Sequence, residues 1–86
     1  MLEISRFYGI IIAMYYNEHG VPHFHAKYGG QTAVFTIADL QILEGELPRR
    51  VRGLVPEWAF EHRAALLENW DLAQSKKPMK DVAPLE

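Results

Sequence analysis

The chain has 86 residues, of which 49% are hydrophobic, with a net charge of −2 and no cysteine. This length predicts a single domain with one hydrophobic core. The lack of cysteine excludes disulfides and thiolate metal sites, and the net charge excludes a general attraction of the whole molecule to nucleic acid.

Neither a signal peptide nor a membrane span is predicted. The segment from Met1 to Arg6 lacks the charged, apolar and small-residue zones of a signal peptide. The longest apolar stretch, Gly9 to Tyr16, is far too short to span a bilayer. We therefore expect a cytoplasmic protein that does not bind membranes.

The first half of the chain predicts a small, mostly antiparallel sheet of three to four strands. Phe7 to Tyr16 is dense in β-branched and aromatic residues at both alternating sets of positions. This pattern predicts one strand that is covered on both faces. Asn17 to Gly20 predicts a turn after it.

A β-hairpin is predicted around Gly29-Gly30, because a primed turn needs positive φ at both central residues. Its arms are His23 to Tyr28 and Gln31 to Ile37, and Leu40 to Glu44 adds a short fourth strand. Side chains alternate along a strand. The first arm therefore presents polar residues on one face and apolar or aromatic ones on the other: His23, His25 and Lys27 against Phe24, Ala26 and Tyr28.

The second half predicts one long, kinked helix. Pro48 suits a first helical turn, and apolar residues follow at helical spacing as far as Trp70. An unbroken helix from Pro48 to Gln74 would be about 40 Å long, which exceeds the roughly 30 Å width of so small a domain. Because proline disrupts helical hydrogen bonding, Pro56 predicts a kink or break around residues 52–55 and a straight segment from Pro56 to about Gln74.

Strands followed by a helix predict the α+β class, with the long Pro-kinked C-terminal helix packed on one face of the sheet. Trp58, Leu66 and Trp70 are the predicted anchors of that helix. Residues 1–74 form the predicted domain. Residues 75–86 contain two prolines and three lysines and are predicted to be a flexible tail.

Three of the four histidines fall within seven residues, at His19, His23 and His25. Imidazole is the commonest metal ligand and titrates near neutral pH. One hypothesis is therefore a site in which these three histidines bind a divalent metal such as zinc. A carboxylate such as Glu18 or Glu44 would complete the ligand set and leave a position for water.

A second hypothesis is a metal-independent ribonuclease. One neutral and one charged imidazole can act as base and acid, and His23 and His25 are the proposed pair, with His19 and Lys27 beside them. Cationic side chains would stabilise the phosphate charge, and aromatic rings would stack on bases. The predicted phosphate- or RNA-binding residues are Arg6, Arg49, Arg50, Tyr16 and Tyr28.

A third hypothesis gives the histidines a structural role in a non-catalytic binding module. They would then bond to backbone groups at the turn or pair with carboxylates across the sheet. His62, on the apolar stripe of the helix, is predicted to be a hydrogen-bonded core or boundary residue. Phe60 lies off that stripe and predicts a contact surface for a protein partner or a second copy of the chain.

Several stretches together resemble the bacterial domain-of-unknown-function 4160 family. The resemblance runs from Ile4 to Leu72, and its most specific element is the Pro-His-Phe-His run. It implies a small bacterial cytosolic protein encoded beside another small gene. It also implies a toxin-like effector of a two-gene toxin–antitoxin-type module, but no particular reaction. The stretches that carry it are 4–10, 14–19, 22–28, 44–48 and 58–63.

Overall fold

A computed structural model describes residues 2–86, and Met1, the first residue of the predicted domain, lies outside them. The described residues form one antiparallel sheet with strand order β1-β2-β3-β4-β5, followed by two helices. The α+β class is therefore confirmed. No helix within residues 2–86 is long and apolar enough to cross a membrane. The elements are β1 Leu2–Phe7, β2 Ile10–Met14, β3 His23–Tyr28, β4 Gln31–Thr36, β5 Ile42–Gly45, α1 Arg49–Glu61 and α2 Arg63–Gln74.

The sheet has five strands rather than the predicted three to four, because the strand predicted from Phe7 to Tyr16 starts with a hairpin turn. Phe7 ends β1 and lies opposite Ile10, the first residue of β2. Tyr8 and Gly9 connect them with φ values of 51° and 79°. A two-residue hairpin turn needs such angles, but tyrosine rarely adopts them, so the sequence carried little signal for this turn.

The predicted Gly29-Gly30 hairpin is confirmed, and β3 pairs with β4 along its whole length. The positive φ expected at both glycines occurs only at Gly29, where φ is 59°. Phe24 and Phe35 lie opposite each other and stack on the core face, with ring centroids 5.5 Å apart. Side chains alternate along β3, so His25 and Lys27 lie on the other face. This second face of the sheet is called the outer face below.

The predicted single helix is two helices: the helix has no break at residues 52–55, and the segment predicted to be straight from Pro56 to Gln74 is interrupted at His62. α1 continues through Pro56, and the chain breaks at His62, where φ is −119° and ψ is 21°. Pro56 has no N–H to donate to the Arg52 carbonyl, but α1 continues past it, and Arg52 is an exposed residue of the helix. A break is still required, because a straight helix over residues 49–74 would be about 39 Å long, whereas the longest extent of the molecule is 34 Å.

The core lies between the sheet and the helices. Trp58, Leu66 and Trp70 are buried, as predicted for anchors. The Trp58 ring lies 5.3 Å from Phe7 and 6.0 Å from Phe24, which places α1 over the core face. His62 is half-buried, with its ring 5.5 Å from Trp58, as predicted for a boundary residue.

Residues 75–86 run along the edge of the sheet and past α2. The Val82 N–H donates to the Ile4 carbonyl at 2.7 Å. The buried Asn69 side chain exchanges two hydrogen bonds of 2.8 Å with the backbone of Lys80. These bonds join the segment to β1 and to α2, and the flexibility predicted for it stays a prediction.

Candidate functional site

Glu18, His23 and His25 converge beside the end of β3. Glu18 Oε1 lies 2.6 Å from His25 Nε2 and 3.4 Å from His23 Nε2. One ligand atom from each residue lies within 4.8 Å of the other two, and no other group of three such side chains occurs among residues 2–86. Strand alternation predicted that His23 and His25 lie together, and Glu18, in the loop before β3, is the third member of the group.

That loop, residues 15–22, is held at two points by the C-terminal part of the chain. Gln74, at the end of α2, donates from its side-chain amide to the Glu18 carbonyl at 3.0 Å. Tyr16 donates its hydroxyl to the Lys77 carbonyl at 2.9 Å. The position of Glu18 is therefore set by contacts with residues far along the sequence as well as by the loop itself.

Hydrogen bonding defines the tautomer of His23. Its Nδ1 lies 2.7 Å from the Val21 carbonyl oxygen. A carbonyl only accepts, so Nδ1 carries a proton and donates it. In the neutral ring Nε2 then keeps a lone pair, and Nε2 is the atom 3.4 Å from Glu18. Histidines that bind metals commonly donate their second ring nitrogen to a backbone carbonyl in this way.

Aromatic side chains pack against both imidazoles. The Tyr15 ring meets His25 edge-on at 4.5 Å, and the Trp70 ring lies 4.9 Å from His23. His25 Nε2 donates to the Glu18 carboxylate, since an ionised carboxylate only accepts. Packing and hydrogen bonding together restrict the ring orientations before any ligand binds.

The pKa of Glu18 is below its ordinary value of 4.5. Burial opposes ionisation and raises the pKa, but the hydrogen bond from His25, the charges of His23 and His25 when these rings are protonated, and a hydrogen bond from protonated His23 together outweigh that effect. Glu18 is therefore a carboxylate at neutral pH, and the site carries a fixed negative charge between two imidazoles.

Acid unfolding is expected to depend on Glu18. Its pKa is lower in the folded chain, so the carboxylate stabilises the fold above about pH 4.5, and this contribution is lost as the pH falls through the folded value. Urea denaturation in EDTA at a series of pH values measures this loss, and Glu18→Gln should remove part of it. Glu3→Gln is the matched control, because Glu3 also has a lowered pKa, through Arg6. An equal effect of the two variants would contradict a specific role of the histidine pair.

The structure places the other predicted catalytic residues differently. His19 is exposed and is not a member of the converging group. Lys27 lies on the outer face, with its Nζ 5.8 Å from the centre of the Tyr15 ring, the ring that also contacts His25. Lys27 therefore belongs to the surroundings of the site.

Arg6 is not brought to the histidines. Arg6 lies opposite Ile11, which in turn lies opposite Lys27. The backbone of Arg6 is therefore two strands from that of Lys27 on the outer face, a distance of roughly 10 Å at normal strand spacing. Its guanidinium forms an ion pair of 2.7 Å with Glu3.

Arg49, Arg50 and Tyr28 lie across the sheet from His25. The two arginines are exposed at the start of α1, the helix that covers the core face. Tyr28 packs against the core, and the hydroxyl of Tyr16 is bonded to the segment that follows α2. The predicted RNA-binding set is therefore spread over several surfaces of the molecule.

Three residues of the site were not among its predicted members. Tyr15 could have been found by strand alternation. Ala13 lies opposite His25, and Tyr15, two residues further along, is expected on the same face of the sheet. Trp70 was predicted only as a core anchor. Gln74 had no local signal, because its contact with the loop spans 56 residues of sequence.

Comparison with known proteins gives a family but no activity. A sequence model described as "Domain of unknown function (DUF4160)" matches residues 9–71 of the 86. The chain belongs to the DUF4160 family. The resemblance noted in the sequence is thus confirmed, and the DUF4160 match includes all three converging residues. No curated protein and no solved structure gives a significant match to the chain.

Proposed function

We propose that this DUF4160 protein is a small metal-binding domain in which Glu18, His23 and His25 hold a divalent transition metal such as zinc. Two imidazoles and one carboxylate supply three of the four ligands of an open zinc site. The same donor types also suit iron, nickel and copper. The remaining position would take water or another ligand, which is the arrangement that lets a metal activate water.

The tautomer of His23 carries this proposal. Its Nδ1 proton is donated to Val21, so a lone pair of Nε2 and a carboxylate oxygen of Glu18 lie 3.4 Å apart. Two acceptors at this distance repel each other unless a cation lies between them. A metal ion would supply that cation and use both lone pairs. A proton on Nε2 is the alternative cation, and the experiment below separates the two.

A ribonuclease that uses His23 and His25 as its acid–base pair has weaker support. The Glu18 carboxylate lies against both Nε2 atoms, and its lowered pKa keeps it negative at neutral pH. A phosphodiester would be repelled from that position in the metal-free protein. The toxin-like, RNA-acting role stays a prediction, and cleavage of RNA by the metal-free protein would be its test.

Binding to a protein partner or to a second copy of the chain also stays a prediction. Phe60 supports it, because this side chain is 67% exposed on α1. Exposed aromatic residues often anchor protein contacts. Co-expression with the product of a neighbouring gene, followed by size-exclusion chromatography, would test it.

Metal analysis tests the proposal directly. Untagged protein incubated with zinc and then desalted is expected to retain one zinc ion per chain. Nickel or copper should also quench tryptophan fluorescence, because Trp70 lies 4.9 Å from His23, and Trp70→Phe should remove most of this quenching. Retention of well below one ion per chain, without quenching, would overturn the metal site. A proton on His23 Nε2 would then be the cation between His23 and Glu18.

A further inference from the structure

The C-terminal segment, residues 78–86, fills a groove between the edge strand β1 and the helices. Asn69 on α2 exchanges two hydrogen bonds of 2.8 Å with the backbone N–H and C=O of Lys80. At the sheet edge, the Ile4 carbonyl accepts a hydrogen bond of 2.7 Å from the Val82 N–H. These bonds hold the backbone of the segment, as in sites that bind an extended peptide along the edge of a sheet.

Apolar side chains of the segment face the groove at every third position. Val82 is buried, and Met79 and Leu85 pack partly buried against the core. A spacing of three is the repeat of the extended polyproline II conformation. The Trp58 indole of α1 donates to the Ala83 carbonyl at 2.7 Å. The groove therefore has the form of a binding site for an extended segment with this apolar spacing.

The connection between α2 and the segment is short and strained. Lys76 has a φ of 57°, in the left-handed region that side chains other than glycine adopt at a cost. The next N–H, that of Lys77, donates back to the Leu72 carbonyl at 2.8 Å. Glycine is the usual residue at the position of Lys76 in such a helix-ending turn. A short connection under strain favours exchange of the segment that follows it with another molecule.

We infer that the groove also binds residues 78–86 of a second copy of the chain, in a reciprocal exchange that forms a dimer. Each bond within the groove is then made between two chains instead of within one, and the strained turn at Lys76 opens. The segment of the same chain competes at a high effective concentration, so the dimer forms at high protein concentration. This inference does not depend on the proposed metal site.

The ion pair between Lys80 and Glu68 provides the test. The Lys80 Nζ on the segment lies 2.6 Å from the Glu68 carboxylate on α2, and both side chains are exposed, so charge reversal should not disturb the core. Full-length Lys80→Glu and full-length Glu68→Lys each place like charges together within one chain. Exchange between the two variants restores opposite charges at both grooves.

Equal amounts of the two variants, concentrated together in low salt, are expected to form a heterodimer. Native mass spectrometry separates this species from the two homodimers by mass. It should exceed them about tenfold, because two ion pairs are gained and two like-charge contacts are avoided. A mixture that stays monomeric, or that holds the three dimers in statistical proportion, would overturn the exchange.

Lys76→Glu mixed with Glu57→Lys is the matched control. The same charges change at two exposed positions, one after α2 and one on α1, and no preference for a heterodimer is expected. A preference as large as that of the first mixture would indicate a general charge effect and would contradict pairing in the groove.

A further variant tests the strained turn. Adding Lys76→Gly to both charge variants relieves the strain while the turn is closed. The Kd of the heterodimer should therefore rise about tenfold, because two turns open for each dimer that forms. Analytical ultracentrifugation measures this Kd, and an unchanged value would overturn an exchange that opens at Lys76.

Discussion

Replacing Glu18 with glutamine is expected to weaken zinc binding by more than about a hundredfold, since even an outer partner of a metal ligand is worth about ten- to a hundredfold. Glutamine has nearly the same shape, and its carbonyl oxygen can still accept the hydrogen bond from His25. The variant removes the charge from the one carboxylate that contacts both imidazoles. Zinc affinity measured by competition with a chelating dye would give the change.

Glu44→Gln is the control for Glu18→Gln. Glu44 lies opposite Val34, which lies opposite His25, so Glu44 is on the same row of the outer face but two strands away. The control also removes one negative charge and should change zinc affinity little. Equal losses in the two variants would indicate a general field effect and would contradict direct binding by Glu18.

Trp58→Ala is expected to lower the free energy of unfolding by about 3–5 kcal/mol. The Trp58 side chain is fully buried and contacts both Phe7 and Phe24. Its Nε1 also donates to the Ala83 carbonyl at 2.7 Å, so the substitution removes core volume and a hydrogen bond to the C-terminal segment. A chain of this size is expected to have a stability of only roughly 5 kcal/mol, so the variant should be largely unfolded in mild urea. Circular dichroism against urea concentration would measure the loss.

Two further variants keep this prediction testable if Trp58→Ala does not fold. Trp58→Phe retains an aromatic ring in the core. It should lower the free energy of unfolding by the effect of the smaller side chain plus about 1 kcal/mol for the lost hydrogen bond to Ala83. Phe60→Ala, two residues along on the exposed side of α1, should change stability by less than about 0.5 kcal/mol. If Phe60→Ala lowered the free energy of unfolding as much as Trp58→Ala, this result would contradict the described core.

Patterns that repeat over neighbouring residues predicted most of the fold. The Gly29-Gly30 hairpin, the alternation around Phe24 and the buried helical anchors depend on local geometry, and the structure has all of them. The Tyr8-Gly9 turn was missed because tyrosine seldom adopts positive φ, and the strong strand signal on both sides concealed it. The length argument required a break in the helix, but Pro56 does not mark its position, because α1 continues through Pro56 and ends at Glu61.

Only the part of the candidate site that depends on neighbouring residues could be predicted from the sequence. His23 and His25 share a strand face by alternation, and this needs no tertiary information. Glu18 and His19 were equally near in sequence, and only the path of the loop decided that the carboxylate meets the imidazoles. That path depends on Gln74 and on the segment after α2, and single-sequence reasoning carries no information about contacts over such separations.

The two hydrogen bonds that secure the loop would also set when the proposed metal centre can form. They join residues 56 and 61 positions apart. During translation the N-terminal part leaves the ribosome first, so Glu18 and His25 emerge well before Gln74 and Lys77 exist. A nascent chain that lacks them would therefore retain an ion only weakly, and loading of the proposed centre is expected to follow docking of residues 74–77 on the loop.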